Sequence, residues 1–271
     1  MFTGLVLCGG GLKGFAILGG IQYLIDQKML NAKYYSGTSI GAIICYFLAI
    51  GYTPIEMIVY IITNNVFELS EHKGIESIFN GKGIYDFSLF EKHFVKMTLD
   101  KIGYIPTLLE LYEKMGKILF TCTYNITHKK KEYVSYHIYP NMSCIDAIKL
   151  SSSLPFIFDD CIYEENCFID GGFVDNCPYS PLNEIKDINT IVFNIEQRGM
   201  DEYKKIIDKF YSIIMIPLNE LMKIQMQNTG FLKIIQIEID PIKIYEFQLN
   251  NSKKLELFST GYNSTKKTLA K

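Results

Sequence analysis

Histidine is scarce in this chain. Only His72, His93, His128 and His137 occur, and none follows residue 137. A hydrolase triad in the order Ser, acid, His needs a histidine late in the chain, so that arrangement is poorly supported. Convergent triads use other orders. Here, however, His72 and His93 fall in a glycine-broken stretch, His128 stands beside Lys129–Lys131, and His137 follows a strand candidate. Each reads more simply as a surface or structural residue. Arginine is scarcer still, with Arg198 alone, and lysine carries the remaining positive charge. Lys plus Arg total 27 against 29 for Asp plus Glu, a formal charge of −2. That balance argues against nucleic acid as a partner. The seven cysteines are odd in number and form no CxxC, which suggests neither a disulfide framework nor a zinc site. No signal peptide is expected, because Met1–Leu7 runs straight into glycines. The longest uncharged run, Tyr34–Ile55, is broken by Gly37, Ser39, Gly41, Gly51 and Pro54. It reads as strand, tight turn and buried helix rather than a membrane span. A cytoplasmic location with peripheral membrane contact is the expectation.

The rest is ordinary globular composition, 48% hydrophobic and 21% charged over 271 residues. Strand and helix patterns alternate with no repeat or long linker, which favours one α/β domain over residues 1–271 with a layered sheet. Thr3–Leu7 reads as the first strand, Gly9–Gly14 as a loop, and Phe15–Gln27 as a helix with a stripe at Ala16, Ile17, Ile21, Leu24 and Ile25. Lys33–Ser36 is a second short strand and Ile40–Ile50 a central helix. Pro54 opens another helix, with Ile55, Ile58, Val59, Ile62 and Val66 on one side. Phe67–Lys117, with helical pieces at Phe87–Leu99 and Thr107–Met115, looks like an insertion or cap. Ile118–Tyr124 is a strand that Tyr133–Tyr136 could pair with. Cys144–Leu150 is a short helix, started by Asn141 or Ser143. Pro155–Phe158 and Cys167–Ile169 are strand-like. Thr190–Ile195 and Leu232–Ile239 are the last strands, flanking a helical region, Met200–Asn228, interrupted at Pro217. Leu249–Thr268 closes the chain as a helix with Leu255, Phe258 and Tyr262 on its apolar side. The cluster Ile213, Ile214, Met215, Ile216, Leu218, Leu221 and Met222 is favoured as a core helix over a lid or lipid-facing surface. Lys129–Lys131 is expected to be a solvated hairpin turn.

Three short motifs carry the chemistry. Gly37-Thr38-Ser39-Ile40-Gly41 fits the G-x-S-x-G nucleophile elbow, with a strand before it and an apolar helix after it. The sharp turn lifts the Ser39 hydroxyl clear, while Gly37 and Gly41 let the turn close. Ser39 as a simple helix cap is the plainer alternative. Gly9-Gly10-Gly11-Leu12-Lys13-Gly14 matches G-x-G-x-x-G, but the second strand ends at Ser36-Gly37 without a ribose-binding acid, which weakens a dinucleotide site. A P-loop fails because Phe15 follows Gly14. Two readings stay open, tight strand–helix packing alone and an oxyanion hole in which two backbone N–H groups of consecutive glycines converge on one point, with Lys13 ordering the loop or adding positive potential. Asp170-Gly171-Gly172 places a carboxylate at a strand end; burial would raise its pKa and make it a better base.

In this order the motifs resemble the patatin-like phospholipase family, described by G-G-G-x-[R/K]-G, G-x-S-x-G and D-G-[A/G]. Ser151–Pro155 and the Asn176-Cys177-Pro178 that follows also resemble that family, so the likeness covers roughly Phe2–Pro181. The resemblance implies a three-layer α/β/α sandwich with a mostly parallel central sheet. It further implies Ser39 as nucleophile, Asp170 as general base, the backbone of Gly9, Gly10 and Gly11 as oxyanion hole, and no metal or other cofactor. The expected substrate is a phospholipid or other lipid ester, met by transient contact with a membrane surface. Lys13, Gly37, Gly41, Gly171 and Gly172 would support the site. Phospholipase A activity is the leading expectation, with triacylglycerol lipase, non-specific esterase or a catalytically weak lipid-binding protein as alternatives. The sequence does not address oligomeric state.

Overall fold

The computed structural model describes residues 1–66, 76–80, 82–198, 206–227, 233–242 and 249–270. Hydrophobic alternation in the first strand already sets two faces. In β1 (Phe2–Leu7), Leu5 and Leu7 enter the larger core, while Val6, followed by Cys8 just past the strand, enters a smaller one behind the sheet. A 3-10 turn (Gly11–Lys13) leads into α1 (Gly14–Asp26), then β2 (Leu30–Thr38), α2 (Ile40–Ala49) and α3 (Pro54–Thr63). Short α4 (Glu76–Phe79), α5 (Ser88–Ile102) and α6 (Leu108–Met115) precede the β3 (Ile118–Asn125) and β4 (Lys130–Val134) hairpin. Then come α7 (Cys144–Ser152), β5 (Cys161–Tyr163), β6 (Asn166–Asp170), α8 (Ser180–Asn183), β7 (Thr190–Gln197), α9 (Ile206–Gln227), β8 (Lys233–Ile239) and α10 (Asn251–Leu269). The sheet runs β5-β6-β3-β2-β1-β7-β8, with β4 also on β3. The run from β3 to β8 is parallel, and β4, β5 and β6 pair antiparallel. Helices α1, α2, α7 and α10 pack on the larger-core face, and α8 with its flanks covers the other. This is the expected α/β/α sandwich with a mostly parallel sheet.

Register explains why distant motifs meet. On β3, Thr121 and Cys122 face β2 on one edge and β4 on the other, while Thr123–Asn125 face β6 and the same β4. Strands β2 and β6 therefore share one edge of β3. The ladder passes from Thr38↔Cys122 to Asp170↔Thr123 on successive residues. The end of β2 and the end of β6 abut.

Helices α1 and α10 cross with their backbones touching. A Cβ on Gly19 would lie 1.8 Å from the Phe258 carbonyl, and one on Gly261 would lie 1.8 Å from the Ala16 carbonyl. The buried side of α10 is Lys254, Leu257, Gly261 and Thr265. Leu255 is exposed, so the expected apolar side is displaced toward the small residues that permit the crossing. On α3, capped by Thr53, Met57 and Ile58 are buried, whereas Ile55 and Val59 are exposed, because the helix meets the core along a narrow stripe. The lysine run is exposed, with Lys129 in the β3–β4 turn as expected, but Lys130 and Lys131 lie in β4. Pro155–Phe158 forms isolated bridges rather than a strand. Helix α9 continues through Pro217, and 200–205 and Asn228 of the expected helical region lie outside the described residues. No described side chain of α9 is buried, contrary to the core-helix expectation. Among the described residues no single helix is long and apolar enough to cross a membrane.

Candidate active site

Ser39 sits between β2 and α2 at φ 55° and ψ −125°. Such a backbone costs a non-glycine residue about 1–3 kcal/mol and persists only where its surroundings enforce it. The enforcement is visible. A Cβ on Gly37 would lie 2.5 Å from the Ala42 nitrogen, and one on Gly41 would lie 2.3 Å from the Leu7 carbonyl. The Ser39 N–H donates to Ser151 Oγ at 3.0 Å, and Ser151 Oγ donates to the Cys122 carbonyl at 2.6 Å. The Ser39 side chain caps nothing, so its hydroxyl is left for other work.

Asp170 ends β6 and is buried. Its Oδ1 accepts the Gly172 N–H at 2.7 Å, while Oδ2 closes no hydrogen bond. Burial pushes the carboxyl pKa up to about 6, against weaker downward pulls from the Ser39 hydroxyl and the Gly172 N–H. Ser39 therefore acts on the carboxyl without completing a bond to Oδ2. Gly171 has no room for a side chain, since its Cβ would meet the Cys122 carbonyl at 2.2 Å. At Gly172 the neighbour is the Asp170 carboxylate itself, at 3.0 Å.

The glycine loop lies against both. A Cβ on Gly9 would meet Asn176 Oδ1 at 2.5 Å and Ser39 Cβ at 3.3 Å. The Gly9 N–H is already donated to the Asn176 carbonyl at 3.1 Å. It is not available to an oxyanion, so of Gly9–Gly11 only Gly10 and Gly11 are left as donors. Among the described residues no acceptor takes the N–H of Gly10 or Gly11. Lys13 tightens the loop by donating its N–H to the Gly10 carbonyl at 3.3 Å, and its side chain lines the cleft.

The glycine loop, the elbow and the D-G-G turn, in chain order and in contact, lie within residues 5–183, the span matched by the model for patatin-like phospholipase. The chain belongs to the patatin-like phospholipase family. That family is a class of lipid-hydrolysing enzymes, and the protein is a hydrolase of this class. It is 33% identical over 181 residues to "Probable lipid hydrolase 463L" of Invertebrate iridescent virus 6, covering 64% of this chain and 61% of that one. It is 27% identical over 281 residues to "Uncharacterized protein R571" of Acanthamoeba polyphaga mimivirus, covering 98% and 93%. Among solved structures, VipD from Legionella pneumophila superposes at TM-score 0.66 and 17% identity, over 99% of this chain and 67% of that one. The type III effector ExoU superposes at 0.56 and 14%, over 99% and 53%. At those identities the two structures show the fold alone.

Within this patatin-like site, one group of residues is not read from the motifs. Asp175, buried, accepts from Lys131 Nζ at 3.1 Å and from the Tyr133 hydroxyl. Its carbonyl accepts Thr38 Oγ1 at 2.8 Å, and its N–H donates to the Gly171 carbonyl at 2.8 Å. With Asn176 on Gly9, residues 175 and 176 tie the elbow, the D-G-G turn and the glycine loop together. Burial disfavours the Lys131 ammonium, but Tyr133 and Asp175 overcome it and hold its pKa above the ordinary lysine value. The only sequence signal was a second acid shortly after Asp170. Among the described residues no histidine joins the site: His93 meets Tyr60, His137 packs on Tyr136, and the His128 N–H bonds Asn125, while His72 lies outside the described residues. Among the described residues no group of three or more His, Cys, Asp or Glu is placed to hold a metal.

Two spaces meet at Ser39. One is an apolar cavity of about 90 Å³ walled by Leu12, Phe15, Phe47, Phe90, Phe94 and Met97. The other is an open cleft of about 730 Å³ lined by Gly10, Lys13, Asp170, Asn194, Glu196 and Lys223. Ser39 borders both.

Proposed function

We propose that the protein is a serine lipid acyl hydrolase of phospholipase A type, working through Ser39 and Asp170 without a metal. The observation that carries this reading is the placement of Ser39 beside a buried carboxyl of raised pKa, where an apolar cavity meets a polar cleft. The apolar cavity suits the first few carbons of an acyl chain, and the cleft suits a headgroup. Ser39 Oγ attacks the ester carbonyl as Asp170 takes its proton. The N–H groups of Gly10 and Gly11 and the N-terminal end of α2 stabilise the developing oxyanion. Asp170 then returns the proton to the leaving alcohol, and an acyl-Ser39 forms. Water activated by Asp170 releases the fatty acid. A pKa of about 6 keeps Asp170 ionised at neutral pH and makes it a stronger base than a free aspartate. The charged cleft favours a phospholipid over triacylglycerol, which offers no charged group to Lys13 or Glu196.

The test is incubation with mixed phospholipid and triacylglycerol vesicles in EDTA, with products identified by mass spectrometry. Fatty acid plus lysophospholipid is expected from the wild type and from neither Ser39→Ala nor Asp170→Asn. Release from triacylglycerol alone would move the assignment to a lipase. No release from either lipid, with no labelling of Ser39 by a fluorophosphonate, would leave a lipid-binding role.

A further inference from the structure

Helix α9 has two apolar sides and no buried described residue. Successive residues turn by about 100° on a helix, so Met215, Asn219 and Met222 share one side. These three line the cleft that holds Ser39, and Asn176 Nδ2 contacts Met222 Sδ at 3.7 Å. Ile216 also borders the cleft. On the other side Ile213, Leu221 and Ile224 fall within an arc of about 80°. Their exposures are 67%, 53% and 57%. Three large aliphatics open to water on one helix face are not what a core-packing helix shows, and contiguous exposed patches of this kind mark interaction surfaces. The cleft behind the same helix says which surface. A phospholipid must leave an aggregate to reach Ser39, and α9 is both a wall of its destination and the carrier of the apolar face.

We infer that α9 is the seat of the protein on a lipid surface, with Ile213, Leu221 and Ile224 entering the headgroup–acyl boundary while Met215 and Met222 face the cleft. This inference rests on the lipid hydrolase reading of Ser39. Two features set a shallow depth. Pro217 lacks an N–H, so the Ile213 carbonyl loses its helix donor. Glu220 lies at the edge of the face, where it also borders the cleft, paired to Lys223 at 2.7 Å. Both need water or headgroups, which suits an interfacial helix rather than an immersed one. With a formal charge of −2 the chain has no excess of basic residues to draw it to anionic lipid. Zwitterionic phosphatidylcholine is therefore sufficient, and binding depends weakly on salt.

The chain contains no tryptophan, so Ile224→Trp introduces a single reporter. A control places one at Ile162 on β5, 69% exposed and at the other end of the strand order. Both variants are made with Ser39→Ala to keep vesicles intact. Phosphatidylcholine vesicles are expected to blue-shift the Ile224→Trp emission, with quenching by brominated acyl chains, and to leave Ile162→Trp unchanged. No shift in Ile224→Trp, or equal shifts in both, overturns the inference. A shift that grows with protein concentration in the absence of vesicles also overturns it, because a second copy then covers the face. In parallel, the triple variant Ile213→Gln/Leu221→Gln/Ile224→Gln should hydrolyse vesicle phospholipid at least tenfold more slowly. It should keep wild-type turnover of a soluble short-chain ester. Equal loss on both substrates overturns the docking role. An Ile224→Trp protein with Ser39 intact that shifts with vesicles but hydrolyses neither substrate counts against the hydrolase mechanism and not against the seat.

Discussion

Replacing Asp170 by Asn should make the protein more stable while removing its activity. The native carboxyl has a pKa of about 6 against 3.8 for the unfolded model value. As pH rises, the unfolded chain releases this proton near pH 4 while the native protein holds it until about pH 6. Between these values the native state binds more protons, so stability falls with rising pH and levels off above pH 6. A shift of about two units corresponds to about 3 kcal/mol at 1.36 kcal/mol per unit. Asp170→Asn removes that penalty and keeps an oxygen for the Gly172 N–H. At pH 8 the variant should resist unfolding by about 3 kcal/mol more than wild type. At pH 4 both side chains are neutral in the native state and the two proteins should melt nearly together. Urea unfolding at pH 4, 6 and 8 reads this directly. Wild-type kcat/KM on a soluble ester should rise with pH to a plateau, with its midpoint near 6. A variant no more stable than wild type at pH 8, or a gap that does not change with pH, would refute the idea that Asp170 is held as a desolvated base.

Three further outcomes follow from the geometry. Ser151→Ala leaves the Ser39 N–H without its acceptor; a loss of about 1–3 kcal/mol in urea unfolding and a fall in kcat larger than any rise in KM are expected. Lys131→Met removes one of two donors to the Asp175 carboxylate. Because Lys131 is partly exposed, about 1–2 kcal/mol of destabilisation is expected, with reduced turnover of a soluble ester; unchanged turnover would separate this tie from the site. Gly261→Ala drives a Cβ into the Ala16 carbonyl, and the net loss on thermal melting should be about 1–3 kcal/mol despite the better helix propensity of alanine.

The motifs were legible because their glycines answer to backbone crowding: Gly37, Gly41 and Gly171 each stand where a Cβ would strike main-chain atoms. Asp170 was legible as a strand end and, through the family resemblance, as the partner of Ser39, but not the cause of their junction, which is that β2 and β6 share one edge of β3. The tie at Asp175 was hidden because Lys131 stands 44 residues away in a run that looks solvated. In α9 the same apolar letters serve a core helix and a surface helix equally well, and only exposure separates them. In α10 the packing side was legible only in part, because Gly261 and Thr265 join Leu257 in the contact while Leu255 is exposed.

The glycine crossing of α1 and α10 bears on the order in which the chain is made. Gly9–Gly14, Gly37–Gly41 and Asp170–Gly172 have all left the ribosome before Asn251, the first residue of α10, is added. Until then α1, which starts at the last residue of the glycine loop, has its Ala16–Gly19 backbone uncovered. A nascent chain thus carries every motif of a lipid hydrolase without the helix that fixes α1 against the sheet.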